Sequence, residues 1–507
     1  MIGILRPFRD VPRDNFTMFS RRKIRTACLR GRATPVVAWI AGCLIMGIPC
    51  PAQADRIDNL PQGFPPLPER RRAVYEYYRL AFLPDGYPGV QLEDGRIVAH
   101  PLYGAYVIND YLWQYRRTKE ERYLAAARKA ADLALGRMQS FRDALVFWYE
   151  PDAGLLDYPA RVYSALTQSY YMLYLGQLRK ITGSEEYATA AERVLNSLAI
   201  ATNDGGVLLP YGDGVIFEEV PKSPPAAVLN GWQTATRNLL KYRELTGSQR
   251  ATDLAERSLN AMVRLLPLYD VPEVLNSRYR LSGFDALRWR FSASVEGVVH
   301  NAVVVVPGVG RYPIVPGNGG VWENRFMDGV EEKDGEIRIR GASGRAHVVL
   351  SMLSAPDPNL LSLSLSVDRS TTLTVEIGSG SYDPLAYGLR ITAWEPIAAA
   401  PLDGGRNDLS IAIPWDKAPL VAYPTDFLKK VGGTFHNSYH FLHIVALHDL
   451  YKRTKRPEFY TYWRKWLGYA QKWPETPMYQ SAEIRLDYYM GEAAALDPNS
   501  LQSPVAQ

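Results

Sequence analysis

The residues best suited to chemistry fall in three places. Phe217-Glu218-Glu219-Val220-Pro221, followed by Pro224 and Val228-Leu229-Asn230-Gly231, sets an acidic pair in a loop ahead of a helical pattern. Neighbouring carboxylates repel, which raises the proton affinity of one of the pair and suits it to general-base work. A solvated acidic loop is the alternative for the same residues. Arg278, Arg280, Arg288 and Arg290 come next. A guanidinium grips a carboxylate through two parallel hydrogen bonds, so Arg280 is a candidate clamp for an acidic ligand. Arg288 and Arg290 either extend a basic rim or decorate an exposed strand face. The third place is Ser438-Tyr439-His440-Phe441-Leu442-His443. Tyr439 is a candidate acid, but a phenol titrating near pH 10 exchanges protons quickly only beside a strong partner such as His440 or Arg280. His436 and His440 have the spacing of a metal pair on a helix. With no carboxylate motif or cysteine nearby, the expectation is no metal and a helix start in which His440 and His443 line a cleft.

The elements that must position these residues are of two kinds. From 71 to 283 the pattern is helical: Val162, Leu166, Tyr170 and Leu173 recur at helix spacing, as do Leu229, Trp232, Thr236 and Leu239. Thr182-Gly183-Ser184 and Thr246-Gly247-Ser248 each stop one helix before another begins. Helix pairs repeating at roughly 40–60 residues predict an α/α toroid, or incomplete barrel, with a cleft where the loops gather. Residues 284–420 alternate in strand fashion between turn clusters such as Asp403-Gly404-Gly405, which predicts an inserted antiparallel β-sandwich. Helical pattern returns over 421–496. The chain is thus expected to be a multidomain α+β protein, with an extended proline-rich arm at 55–70 and a disordered tail at 497–507. Of its 32 tyrosines only Tyr312, Tyr382 and Tyr387 fall in 284–420. Tyrosine offers a sugar an apolar face and a hydroxyl, although packing between helices accounts for most of them.

The formal net charge of +5 invites a nucleic-acid reading, and its location removes that reading. Nine Lys/Arg and only two acids lie in residues 1–54, followed by the apolar run Val36 to Ile48 and by Ala52-Gln53-Ala54. This is the layout of a signal peptide cleaved after Ala54, implying a periplasmic or secreted protein with no stable membrane span in its mature form. Cys28, Cys43 and Cys50 all precede that cut, so the mature chain has no disulfide, cysteine nucleophile or thiolate metal site. The remaining residues carry 49 basic against 51 acidic side chains, so no excess positive charge is left to favour nucleic acid.

Taken in order, the Phe217–Gly231 stretch, Leu266-Pro267-Leu268-Tyr269-Asp270, the Ser438–His443 stretch, and Phe459 with Trp463-Arg464-Lys465-Trp466 resemble the C-terminal catalytic domain of D-glucuronyl C5-epimerases. His100-Pro101-Leu102-Tyr103 and Tyr163-Ser164-Ala165 through Gln168 look like earlier motifs of that family. The resemblance covers about 100–281 and 434–470. Val220 and Ser277 stand where the family usually has tyrosine, and the family's helical domain does not usually carry an insertion at 284–420.

The resemblance implies an isomerase that inverts C5 of uronates within an acidic polysaccharide, without a cofactor and as a possible homodimer. That reaction needs a base for the proton alpha to the carboxylate, a cation to stabilise the enediolate, and an acid on the opposite ring face. Glu219, Arg280 and Tyr439 are the candidates for those roles, with Tyr103, Tyr163, Asn230, Tyr279, His440 and His443 as candidate sugar contacts. Two alternatives remain: a polysaccharide lyase, which shares the proton abstraction and then eliminates the C4 substituent, and a non-catalytic glycan-binding or exopolysaccharide-assembly protein.

Overall fold

The computed structural model describes residues 60–476, apart from 69–74, 77, 157–159, 318–322, 384–387, 416, 418–429, 432–433 and 436–437. The expected leader, the start of the arm, His436 and the tail lie outside the described residues. What is described of the arm packs on the helices: Phe64 is buried against Phe82 and Tyr111, and the Tyr111 hydroxyl donates to the Pro65 carbonyl at 2.8 Å. Among the described residues no helix is long and apolar enough to cross a membrane.

Among the described residues eight helices form four hairpins: α1 (Pro101–Thr118) with α2 (Glu121–Leu135), α3 (Ala165–Thr182) with α4 (Glu185–Ser197), α5 (Leu229–Thr246) with α6 (Gln249–Tyr269), and α7 (Ser438–Thr454) with α8 (Pro457–Lys472). The first helix of each hairpin packs on the first helix of the next, giving an arc with α1, α3, α5 and α7 inside. Each inner helix ends in the same way. Thr118, Thr182, Thr246 and Thr454 bond the carbonyl one turn back, and their hydroxyls accept the backbone N–H two residues on. The next residue, Lys119, Gly183, Gly247 or Lys455, takes the left-handed conformation that stops a helix. Thr118, Thr182 and Thr246 are 64 residues apart, whereas Thr454 follows Thr246 by 208. The excess is the length of the inserted sheet region and its flanks.

The helical reading of 71–283 passes over short β-hairpins. The strands β1 (Leu80–Phe82), β2 (Pro88–Gln91) and β3 (Ile97–Ala99) form a meander before α1. A pair follows each of the first three helix hairpins: β4 (Gln139–Phe141) with β5 (Ala144–Val146), β6 (Leu208–Tyr211) with β7 (Gly214–Phe217), and β8 (Asp270–Val271) with β9 (Asn276–Ser277). At two to four residues per strand, none is long enough to show a period-2 pattern.

The insertion is β-structure from Ser282 to Ile413, all of its ladders antiparallel. It is one continuous nine-stranded sheet rather than two separate ones. The physical reason is the length of two strands, β10 (Ser282–Val306) and β14 (Glu336–Ser351), which run together through both halves and are separated in the chain by the short β11 (Gly310–Pro313), β12 (Arg325–Asp328) and β13 (Val330–Lys333). Their register breaks between Arg290 and Val295, and there the sheet bends over. Strand β16 (Thr371–Asp383) pairs with β10 before the break, and β15 (Asn359–Val367) pairs with it after. Leu287, Phe291, Val304, Leu361 and Leu373 from both halves share one core.

Candidate active site

Neighbouring inner helices run parallel. Near their C-terminal ends Arg116 of α1 meets Gln177 of α3, Gly176 of α3 lies under the Tyr242 ring of α5, and Arg453 of α7 pairs with Glu244 of α5. All four N-termini therefore face the opposite end, where their dipoles favour negative charge. The sequence-predicted residues gather at that end: Tyr103, Tyr163, Glu219, Asn230, Tyr439, His440 and His443 lie in the loop leading into an inner helix or in its first turns, and Tyr279 and Arg280, between β9 and β10, are joined to the start of α5 through the backbone.

The Glu218-Glu219 pair divides its work. Glu218 is buried, and its carboxylate accepts the backbone N–H groups of Ala226 and Ala227 at 3.1 and 2.9 Å. It shapes the loop that swings from β7 to α5. Tyr269 fastens the same loop by donating its hydroxyl to the Ala227 carbonyl at 2.6 Å. Burial outweighs the two N–H donors and pushes the Glu218 carboxyl up to about 7. Glu219 is buried as well, and neither of its carboxylate oxygens has a hydrogen-bond partner. Burial raises its pKa well above the usual carboxylate range; Lys222 opposes this, and repulsion from Glu218 is the smallest of the three effects. The expected cause, like-charge repulsion, is thus secondary to desolvation. Glu219 rests on the first turn of α5, where a Cβ on Gly231 would stand 2.5 Å from Glu219 Oε2. Only glycine admits the carboxylate there.

Two further orphans follow on α5. Asn230 Oδ1 is buried without a partner, and Gln233, one turn on, has neither amide atom bonded. Gln233 was missed from the sequence, where a glutamine at a core-like helix position carries no signal of whether it is satisfied. The backbone links α5 to the arginine segment: the Leu229 N–H donates to the Tyr279 carbonyl at 2.8 Å. The Tyr279 ring lies 4.6 Å from that of Tyr439 in the first turn of α7. Arg280 is largely buried, bonds the Ser282 carbonyl through Nε at 3.0 Å, and sits over the Phe284 ring. Burial lowers its pKa to about 10, which leaves it charged at neutral pH. Glu219, Asn230, Gln233, Tyr279, Arg280 and Tyr439 thus belong to one neighbourhood around the N-termini of α5 and α7.

The α1 and α3 side adds aromatic surface. His100 caps α1, stacks on Tyr103 at 3.9 Å and meets Tyr149 edge-on. The Tyr103 hydroxyl donates to the Tyr78 carbonyl at 3.3 Å. Tyr149, also missed from the sequence, lies close enough to Glu219 to feel its charge and bonds Thr167 at 2.9 Å.

Two predicted sugar contacts are engaged elsewhere. Tyr163 is fully buried between Phe141 and Trp148, and its hydroxyl donates to the Ser197 carbonyl at 2.8 Å. His440 is enclosed by Trp466, Tyr469 and Trp473, with Nε2 on the Trp466 carbonyl and Nδ1 on Ser277. Neither offers a free polar atom. His443 lies one turn beyond Tyr439, with Nδ1 2.8 Å from Ser277 Oγ and Nε2 unbonded. Arg288 and Arg290 both bind Glu376 across the β10–β16 ladder, so they decorate a strand face. Among the described residues no group of His, Cys, Asp and Glu is arranged to hold a metal.

The remaining motifs are scaffold. Asp270 accepts from Trp466 Nε1 at 2.9 Å and Tyr469 Oη at 3.1 Å and pairs with Lys465 at 2.5 Å, tying α8 to the end of α6. The Tyr269-Asp270 and Trp463–Trp466 motifs are therefore two halves of one contact.

This is a helical-hairpin repeat interrupted by a folded antiparallel sheet, with the unpaired polar groups of Glu219, Asn230, Gln233 and His443 at one end of the inner helices. Comparison with known proteins adds a family. Residues 145–288 match the family model described as D-glucuronyl C5-epimerase C-terminus, so that stretch of the chain is similar to this family. A D-glucuronyl C5-epimerase of Caenorhabditis elegans is 27% identical over 124 residues, covering 22% of this chain and 20% of that protein. The chain therefore spans only about a fifth of that relative's length. The matched stretch contains Glu219, Asn230, Gln233, Tyr279 and Arg280, while Tyr439 and His443 lie beyond it. Solved structures resemble the chain weakly. A sugar epimerase from a ruminal bacterium has a TM-score of 0.31 at 12% identity, covering 44% of this chain and 58% of that one. The endo-β-1,4-glucanase CMCax of Acetobacter xylinum has a TM-score of 0.31 at 14% identity, covering 42% and 61%. Likeness at this level carries no argument about function.

Proposed function

We propose that the protein is an isomerase that inverts C5 of uronate residues within an acidic polysaccharide. The observation that carries this is Glu219: a buried carboxyl group with both oxygens unpaired, in the neighbourhood of a buried arginine and at a helix N-terminus. Leaving a buried polar group without a partner costs on the order of 1–3 kcal/mol, so the site is complete only when a ligand supplies the missing bonds. Arg280 and the inner-helix N-termini favour a carboxylate ligand. The proton alpha to that carboxylate is weakly acidic. A base whose own proton affinity is raised matches it better than a solvated carboxylate does. Burial favours the protonated form of Glu219, and its ionised form removes the C5 proton. Arg280 stabilises the enediolate, and Tyr439, paired with Tyr279, returns a proton to the other ring face.

The test is to incubate the protein with glucuronate-containing polymers in deuterated water. A new C5 diastereomer by NMR is the expected result. Unsaturated ends absorbing in the ultraviolet would instead establish the lyase, and binding with neither signal would leave only a glycan-binding protein.

A further inference from the structure

The segment that departs from the family pattern at Ser277 carries a hydrogen-bond chain whose proton positions follow from the acceptors at its ends. The Trp466 carbonyl can only accept, so His440 Nε2, 3.0 Å away, carries a hydrogen. The Ser277 backbone N–H points at His440 Nδ1 from 3.2 Å, while also bonding Asn276 Oδ1, so Nδ1 presents its lone pair. Ser277 Oγ lies 2.7 Å from that lone pair and must give it the hydroxyl proton. A hydroxyl has one proton. At its second contact, His443 Nδ1 at 2.8 Å, Oγ therefore accepts, and His443 is the donor. Burial keeps both rings neutral. His443 Nε2 is then a bare lone pair, and it is buried without a partner. Tyr439 and His443 are four residues apart on α7 and share its face.

We propose that Ser277 is a positioning residue that fixes His443 as the Nδ1–H tautomer, so that Nε2 stands as a hydrogen-bond acceptor for a sugar hydroxyl in the site. The proposal rests on the uronate-polymer reading for its ligand, but not for its tautomer. A serine in the tyrosine's place thus has a task of its own, passing an orientation from the scaffold histidine His440 to His443. An acceptor at this position suits a neutral hydroxyl and disfavours the carboxylate, which leaves the acidic group of the sugar to Arg280.

The test uses the full chain labelled with ¹⁵N-histidine, with the His443 signal assigned by its loss in His443→Asn. The expected spectrum shows His443 protonated at Nδ1 and bare at Nε2. An Nε2-protonated or rapidly averaging His443 overturns the proposal, whatever the protein's activity. Ser277→Ala should release the tautomer and raise KM for a glucuronate polymer about tenfold more than it lowers kcat, and Ser277→Thr should restore both. If Ser277→Ala does not fold, the wild-type spectrum still decides. Wild-type kinetics in Ser277→Ala with the tautomer lost would remove His443 from sugar binding. A fixed tautomer in a protein inactive on every uronate polymer would leave the positioning role and defeat the functional reading alone.

Discussion

Two glutamines in successive repeats of the helical arc show how the fold separates scaffold from site. Gln168, in the first turn of α3, is buried and fully used. It accepts from the Phe147 N–H at 3.1 Å and donates to the Leu145 carbonyl at 2.8 Å and to Ser197 Oγ at 3.0 Å. Gln233, at the start of α5, is equally buried and makes no hydrogen bond. The same contrast holds for the acidic pair, with Glu218 closing a loop and Glu219 unpaired. Burial, composition and helix position are alike, so the difference lies in whether partners were provided. Gln168 and Glu218 are spent on building the fold, whereas Gln233 and Glu219 keep their polar atoms unpaired at the end of the inner helices where a ligand is proposed.

Glu219→Gln should have the largest effect on turnover. It removes the base and should lower C5 exchange by about a thousandfold, within the usual range for losing acid–base catalysis. Because burial favours the protonated form of this group, the same change should leave the melting temperature unchanged or raise it. A large loss of stability would mean that Glu219 is scaffold like Glu218. In wild type, kcat/KM should climb as pH rises through the raised pKa of Glu219, because the ionised form is the active one; a falling profile would make it an acid instead.

The glutamines should then part company. Gln168→Ala strands one N–H donor, one carbonyl and one hydroxyl, and should cost about 2–3 kcal/mol in denaturant unfolding. Gln233→Ala strands nothing and should cost less than about 1 kcal/mol, while raising KM for the polymer roughly tenfold, the value of one or two lost hydrogen bonds. Equal destabilisation in the two variants would erase the contrast.

The smallest effect is on the pH dependence of stability. Glu218 at about 7, Asp285 at about 8 and Glu219 all have folded pKa values above their unfolded ones, so their contribution is whole at low pH and is lost as pH rises through those values. His100 at about 3, His440 at about 4 and His443 are depressed, and their contribution is lost as pH falls below 6.5. The two sets offset one another between about 4.5 and 6.5. The melting temperature should therefore be flat there and fall from about pH 6.5 to 8.5, less steeply in Glu219→Gln.

Much of this plan is legible in the chain. Thr182-Gly183-Ser184 and Thr246-Gly247-Ser248 mark real hairpin turns because a left-handed residue and a bonding threonine are local features. The inserted sheet shows in its alternation, yet its bend at Arg290–Val295 depends on pairing between distant strands, so two sheets were expected where there is one. The acidic pair and Arg280 stand out by type and position, and Asn230 by the motif it shares with the family the chain resembles. Tyr163 and His440 look the same in sequence but are consumed by the Ser197 and Trp466 carbonyls, and Gln233 is no different in sequence from Gln168. Hydrogen-bond satisfaction is a three-dimensional property, and that is the part the residue string does not display.

The most direct measurement is deuterium incorporation at C5 of a glucuronate polymer in deuterated water, followed by NMR for wild type, Glu219→Gln and Gln168→Ala side by side. Exchange is predicted in wild type and in folded Gln168→Ala, and about a thousandfold less in folded Glu219→Gln. Exchange undiminished in Glu219→Gln, or absent from wild type on every uronate polymer, would contradict the assignment.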